Sequence, residues 1–164
     1  MSRAFTKEDR EEPPLVVPRA PLPDGATNYV TERGLALLRA ERVALEGSRP
    51  DAAGPNGAAA VAAHHARLAA LDARLASAQL LDPATLPQDE VRFSAAVTLR
   101  SADGQERCYR MVGVDEADAA AGRIAFTAPL ARQLTGKGLG DSVTLRLPQG
   151  ELEFEIVAID YRPE

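Results

Sequence analysis

The sequence predicts an α+β protein: an N-terminal antiparallel α-helical coiled-coil hairpin, then a domain built on a mainly antiparallel sheet. Three observations carry this reading. Over residues 29–82 apolar side chains recur at helical spacing in two runs, split by a segment rich in glycine and proline. After residue 90 the pattern changes to strict alternation, the period of a half-buried strand. From Ile124 to Tyr161 the chain then reads as strand, short helix, glycine loop and two further strands.

Taking the elements in order, residues 1–28 hold Pro13, Pro14, Pro18, Pro21 and Pro23 with charges between them and no regular period. They are expected to form a disordered or extended arm, ordinarily a plain solvated tail, with a short recognition peptide as the alternative. Thr31 is a good helix N-cap, and Tyr29 and Val30 before it can pack on the first turn. Leu35, Leu38 and Leu45, with Arg42 between them, mark a seam as far as Glu46. The run GSRPDAAGPNG then forbids a continuous helix, because Pro50 and Pro55 lack the N–H and Gly47, Gly54 and Gly57 are poor helix formers. Val61, His64, Leu68, Leu71, Leu75 and Ala78 follow a 3-4-3-4-3 spacing and define a second helix. Asp82-Pro83 is expected to end it, since the residue before proline leaves the α region. Two seams joined by so short a loop make an antiparallel hairpin over residues 29–82.

A linker is expected over residues 83–90 and a second domain over 91–164. Val91, Phe93, Ala95, Val97 and Leu99 alternate with polar or small residues and predict one strand; Ala102-Asp103-Gly104 supplies a turn, and Cys108 to Val114 the return strand. Asp115 to Gly122 is an acidic, alanine-rich excursion before a strand at Ile124-Ala125-Phe126. Pro129 suits a first helical turn, Leu130 and Leu134 share a face, and Gly136 and Gly138 end the helix. Asp141 closes the glycine loop, and the final strands flank Pro148-Gln149-Gly150.

Composition narrows the function. The 45% apolar content is inflated by alanine and there is no tryptophan, which favours close-packed helices over a large enclosed pocket. A single cysteine, Cys108, excludes an internal disulfide and a thiolate metal cluster, so a reducing cytoplasmic setting is expected. No apolar run approaches a membrane span, and the N-terminus lacks a signal-peptide apolar region. The net charge of −5 is carried mainly by residues 83–164, with nine Lys/Arg against thirteen Asp/Glu. There is no basic face for a phosphate backbone, so strong direct nucleic-acid binding is not expected, and an acidic domain favours a basic protein surface.

The order strand, A-P-L-A-x-x-L, glycine loop ending G-D, strand, P-x-G, strand, A-I-D-Y over Ile124–Tyr161 resembles the C-terminal domain of the GreA/GreB transcription elongation factors of bacterial RNA polymerase. The resemblance extends to Tyr29-Val30-Thr31-Glu32-Arg33-Gly34-Leu35, to Leu80-Leu81-Asp82 and to Tyr109-Arg110-Met111-Val112-Gly113. It implies an FKBP-like C-terminal domain that grips polymerase beside its secondary channel, while the hairpin enters the channel. In that family acidic residues at the hairpin tip help to hold a magnesium ion for cleavage of backtracked RNA. The family docks through the strand-to-helix corner, which places partner binding here on Phe126, Thr127, Pro129, Leu130 and Arg132. Where the family usually has Asp-Ser-Pro, this chain has Thr127-Ala128-Pro129.

The departure falls where the family's chemistry lies. Magnesium wants several hard oxygen ligands, yet between Gly47 and Ala63 the sole carboxylate is Asp51 and there is no tyrosine. Asp51 is the one metal candidate, and turn chemistry is its ordinary role. The helices also read as shorter than those of cleavage factors, by about two turns each. A short hairpin is similar to that of the regulator of nucleoside diphosphate kinase, a family relative that binds polymerase without stimulating cleavage. The expectation is therefore a monomeric, non-enzymatic regulator that binds RNA polymerase and needs no cofactor. The alternatives are a cleavage-stimulating factor with a reduced tip and an interaction module for a nucleotide-metabolism enzyme.

Other residues have ordinary readings. His64 and His65 are adjacent, face different sides of a helix and cannot share a metal; His64 falls on the seam as a packing residue. Gly136-Lys137-Gly138-Leu139-Gly140-Asp141 follows a helix instead of opening one, so it reads as a turn and not a phosphate loop. Cys108 is expected to be a small packing residue within its strand. Prolyl isomerase chemistry wants an aromatic-lined pocket, and aromatic residues are only 4% of the chain.

Overall fold

The computed structural model describes residues 19–148 and 150–163; the arm expected over residues 1–28 therefore lies partly outside the described residues. Residues 19–28 form neither helix nor strand, but they are not a free tail. The turn at Pro23–Ala26 closes through the Ala26 N–H on the Pro23 carbonyl at 2.9 Å, and both ends of the segment are bonded to the rest of the protein.

Strand β1, Tyr29–Val30, leads into helix α1, Glu32–Gly47. Thr31 is its N-cap: Oγ1 accepts the Gly34 N–H at 2.9 Å, satisfying a donor that the first turn leaves free. Helix α2, Gly57–Ser77, stops five residues before Asp82, the expected end at Asp82-Pro83. Ala78 turns extended and the chain continues as strand β2, Gln79–Leu80, which pairs in parallel with β1. The helix ends earlier than Asp82-Pro83 because backbone pairing with β1, a long-range event, competes with one more helical turn. That pairing brings the start of α1 beside the end of α2, so the helices run antiparallel. Val30, Leu38, Leu45 and Leu71 are buried in one apolar cluster, and Leu35, Leu68 and Leu75 pack at its margin. Leu71 is fully buried, and burying one such side chain contributes about 1.5–3 kcal/mol. Arg42 Nε donates to Asp72 Oδ1 at 2.6 Å across the helices.

The sheet has five strands in the order β5-β4-β3-β7-β6: β3 Ala96–Ser101, β4 Glu106–Val112, β5 Arg123–Ala125, β6 Ser142–Leu147 and β7 Gly150–Asp160. All pairings are antiparallel except that of β4 with β5. The strand expected to begin at Val91 starts only at Ala96. Ser94 sits at φ 72°, and the Ala95 N–H closes on the Arg92 carbonyl at 3.2 Å, so the chain turns before it enters the sheet. Val91 instead exchanges backbone hydrogen bonds with Gly136 and Lys137 in the loop after helix α3, Pro129–Leu134. β7 carries an irregularity opposite Thr98 and Leu99, which face Ala158 and Ile156. Val91, Val97, Leu99, Met111, Leu134 and Ile156 form the centre of the core, and α3 closes it.

Cys108 corrects its sequence reading. It is exposed, because β4 alternates and Tyr109 and Met111 take the core face. The glycine loop is the expected turn, with its donors spent internally: the Gly138 N–H meets Asp141 Oδ2 at 2.8 Å, and the Gly140 N–H meets the Ile156 carbonyl at 2.8 Å.

Candidate partner-binding corner and hairpin tip

The corner runs from the end of β5 into α3. The Phe126 N–H bonds to the Val112 carbonyl at 2.9 Å, holding the chain to β4 as it leaves the sheet. The Ala128 N–H then bonds to the Ala125 carbonyl at 2.9 Å, and Pro129 opens α3 at the position where a missing N–H is harmless. Of the five residues expected to dock, Pro129 and Arg132 are exposed, while Phe126, Thr127 and Leu130 are half-buried. Leu130 packs against the core, so it has a structural duty as well as an exposed edge. Beside it Pro129, Leu130 and Gln133 form one wall of a shallow open groove, and Thr144, Leu145, Arg146 and Glu151 form the other.

Phe126 points elsewhere. Its ring lies 5.6 Å from Phe93, edge to face, and 5.7 Å from Tyr29, while Tyr29 and Phe93 are 5.8 Å apart. These spacings fit favourable aromatic pairing, about 0.5–1.5 kcal/mol for each pair beyond burial. The trio joins the corner to β1, directly ahead of α1. Sequence reading missed it, because the three rings stand far apart in the chain; the scarcity of aromatics was the one available signal.

Glu116, on the turn between β4 and β5, was missed as well. Its side chain is 2% exposed, accepts from Thr31 Oγ1, and lies 3.0 Å from Arg33 Nη1 and 3.9 Å from Arg123 Nε. Thr31 thus caps its own helix with its oxygen and donates its proton to the sheet domain. Gly34 leaves room for the carboxylate: a Cβ there would stand 2.8 Å from Glu116 Oε2. Within the excursion Asp115–Gly122, the acids are structural anchors as well as surface charges.

At the other end of the hairpin, Asp51 Oδ1 accepts the Ala53 N–H at 2.9 Å, the local turn bond typical of aspartate in loops. Among the described residues no group of three or more His, Cys, Asp or Glu side chains could hold a metal ion. His64 is buried on the seam face and His65 exposed. Among the described residues no helix is long and apolar enough to cross a membrane.

Residues 86–161 match the family model "Transcription elongation factor, GreA/GreB, C-term". The transcription elongation factor GreA of Nitratiruptor sp. is 43% identical over 99 residues, covering 60% of this chain and 61% of that protein. GreA of Psychrobacter arcticus is 43% identical over 98 residues, 58% of this chain and 62% of that protein. The chain thus spans about three fifths of the length of the curated relatives it matches. A solved structure, the prokaryotic transcription elongation factor GreA/GreB from Nitrosomonas europaea, superposes with a TM-score of 0.44 at 23% identity, over 81% of this chain and 98% of its own. Over residues 86–161 the chain is thus similar to the C-terminal domain of the GreA/GreB transcription elongation factors.

Proposed function

We propose that this protein is an RNA polymerase-binding regulator of transcription elongation that docks through its C-terminal domain beside the secondary channel and does not stimulate transcript cleavage. On this reading residues 91–164 are an FKBP-like docking domain and residues 29–82 a coiled-coil hairpin presented to the channel. The similarity of residues 86–161 to the GreA/GreB C-terminal domain supports the partner, since the matching relatives are named as transcription elongation factors. The single observation that carries the absence of cleavage is the tip: its lone carboxylate, Asp51, already accepts a backbone N–H of its own loop. A weakly held magnesium ion gains from each added carboxylate ligand, and one such group flanked by alanines supplies little. The protein occupies the channel, contributes no chemistry and competes with factors that do. Docking rests on the exposed rim of the corner, Pro129 and Arg132 with the free edge of Leu130, while Phe126 ties the docked corner to the hairpin base.

The test uses a stalled, backtracked elongation complex. Incubation with this protein should leave the RNA length unchanged and slow the shortening produced by a cleavage-competent factor added afterwards. A folded Leu130→Ala/Arg132→Ala double variant should lose the competition together with polymerase capture. Prompt RNA shortening by this protein alone, abolished by Asp51→Ala, would overturn the reading.

A further inference from the structure

Asp115 and Glu116 are consecutive, and both face the base of the hairpin. Glu116 holds the first turn of α1, whereas Asp115 gathers two guanidinium groups. Arg19 Nη1 donates to Asp115 Oδ1, and its Nη2 donates to Glu41 on α1 at 2.6 Å. Arg74 of α2, 7% exposed, lies 3.4 Å from the second Asp115 oxygen and donates from Nη2 to the Ala20 carbonyl. The far end of the same short segment is fastened too: Asn28 Nδ2 donates to the Arg74 carbonyl at 2.8 Å and to Ser77 Oγ at 3.0 Å. Residues 19–28 are therefore tied at both ends to α2, and through one side chain to α1 and the sheet domain together.

We propose that residues 19–28 form a strap, clasped by Arg19, which fixes the hairpin at a set angle to the sheet domain. Leverage is the physical reason. Other links between the two parts, the aromatic trio, the Glu116 contacts and the Arg74–Asp115 pair, sit at β1, the first turn of α1 and the last turn of α2, close to any pivot. Glu41 lies nine residues beyond Glu32, about 13 Å along the helix, where a contact resists rotation with a long arm. The planar fork of arginine can engage two carboxylates in fixed directions at once, which a lysine ammonium cannot do in the same geometry. Without Arg19, Asp115 keeps only Arg74, and the link between Glu41 and the sheet domain is lost. The strap sets this angle whatever the sheet domain binds, so failure to bind polymerase would leave it standing.

The exposed native thiol of Cys108 gives one probe site on the sheet, and Ala59→Cys, exposed in the first turn of α2, gives a second near the hairpin tip. Nitroxide labels at the two positions report the hairpin angle by pulsed electron spin resonance. The otherwise unaltered chain should give one narrow distance distribution. Arg19→Ala should at least double its width or displace its maximum, Arg19→Lys should fall between, and Glu41→Gln should widen it by removing the α1 limb alone. Arg19 lies outside both apolar clusters, so helix content by circular dichroism should not change. An unchanged narrow distribution in both Arg19→Ala and Glu41→Gln would sink the proposal.

Discussion

The sheet domain closes its core with residues drawn from three strands, a helix and a loop: Val91, Leu99, Met111, Leu134 and Ile156. The hairpin has one narrow seam of Val30, Leu38, Leu45 and Leu71, and outside it α2 is largely alanine, with Ala58, Ala59, Ala62, Ala66 and Ala69 exposed. Alanine has the best helix propensity, so α2 is helical on local grounds while burying little. Cooperativity in the sheet comes from contacts between distant residues; in the hairpin it comes from one seam and from its attachment at the base. The hairpin should therefore open before the sheet.

The largest expected effect breaks this contrast open. Leu99→Ala and Leu71→Ala each remove a fully buried leucine and should each cost about 2–5 kcal/mol. Their reach should differ. Under native-state hydrogen exchange Leu99→Ala should weaken protection throughout β3, β4 and β7. Leu71→Ala should release α1 and α2 while the slowest sheet amides keep their protection. A Leu71→Ala protein that loses β3 and β7 protection in parallel would show that the two parts unfold as one.

The attachment itself is probed by Glu116. Truncating it leaves Arg33 and Thr31 without their acceptor, and Glu116→Ala should cost about 1.5–3 kcal/mol, the range for hydrogen bonds to a charged group. Gly34 sharpens the point. Alanine is favoured over glycine inside a helix by about 1 kcal/mol, yet at this position its Cβ would crowd the Glu116 carboxylate. Gly34→Ala should destabilise the native protein and stabilise the Glu116→Ala protein. Urea denaturation of all four members of the cycle measures this, and a Gly34→Ala effect of one sign in both backgrounds would remove Glu116 from the account.

What the sequence revealed follows the range of the interactions. Thr31, the two leucine seams and the β6–β7 hairpin were legible because cap, period and turn chemistry act over a few residues. The early stop of α2 at Ser77 was not, since it depends on pairing Gln79 with Tyr29. The same holds for Ser94, whose positive φ interrupts an alternation that otherwise reads as strand through Val91. At the candidate corner the family resemblance pointed to Phe126, Thr127, Pro129, Leu130 and Arg132, of which Pro129 and Arg132 are exposed. The sequence had no means of finding that Phe126 turns toward Tyr29 and Phe93, or that Arg19 reaches Glu41 and Asp115.

The smallest expected effect contrasts the buried carboxylate at the hairpin base with a half-buried one at the end of the sheet. Arg162 donates to Asp160 through Nε at 2.8 Å, Nη2 at 2.6 Å and the backbone N–H at 2.9 Å. These bonds, the side-chain ones first, hold the Asp160 carboxyl at about 2, below its ordinary 3.8. A lowered folded value means that the favourable contribution is present above pH 3.8 and is lost as the pH falls toward 2. Arg162 is 87% exposed along its side chain, so solvent screens the pair and its share of stability is slight. In Arg162→Ala the carboxyl midpoint, followed by carbon NMR, should move up toward the ordinary value but stop short of it, because the backbone N–H remains. Stability at neutral pH should not change measurably. An unmoved midpoint would mean that backbone donation alone holds Asp160, while a clear loss of stability at neutral pH would mean that this surface pair acts like the buried one at Glu116.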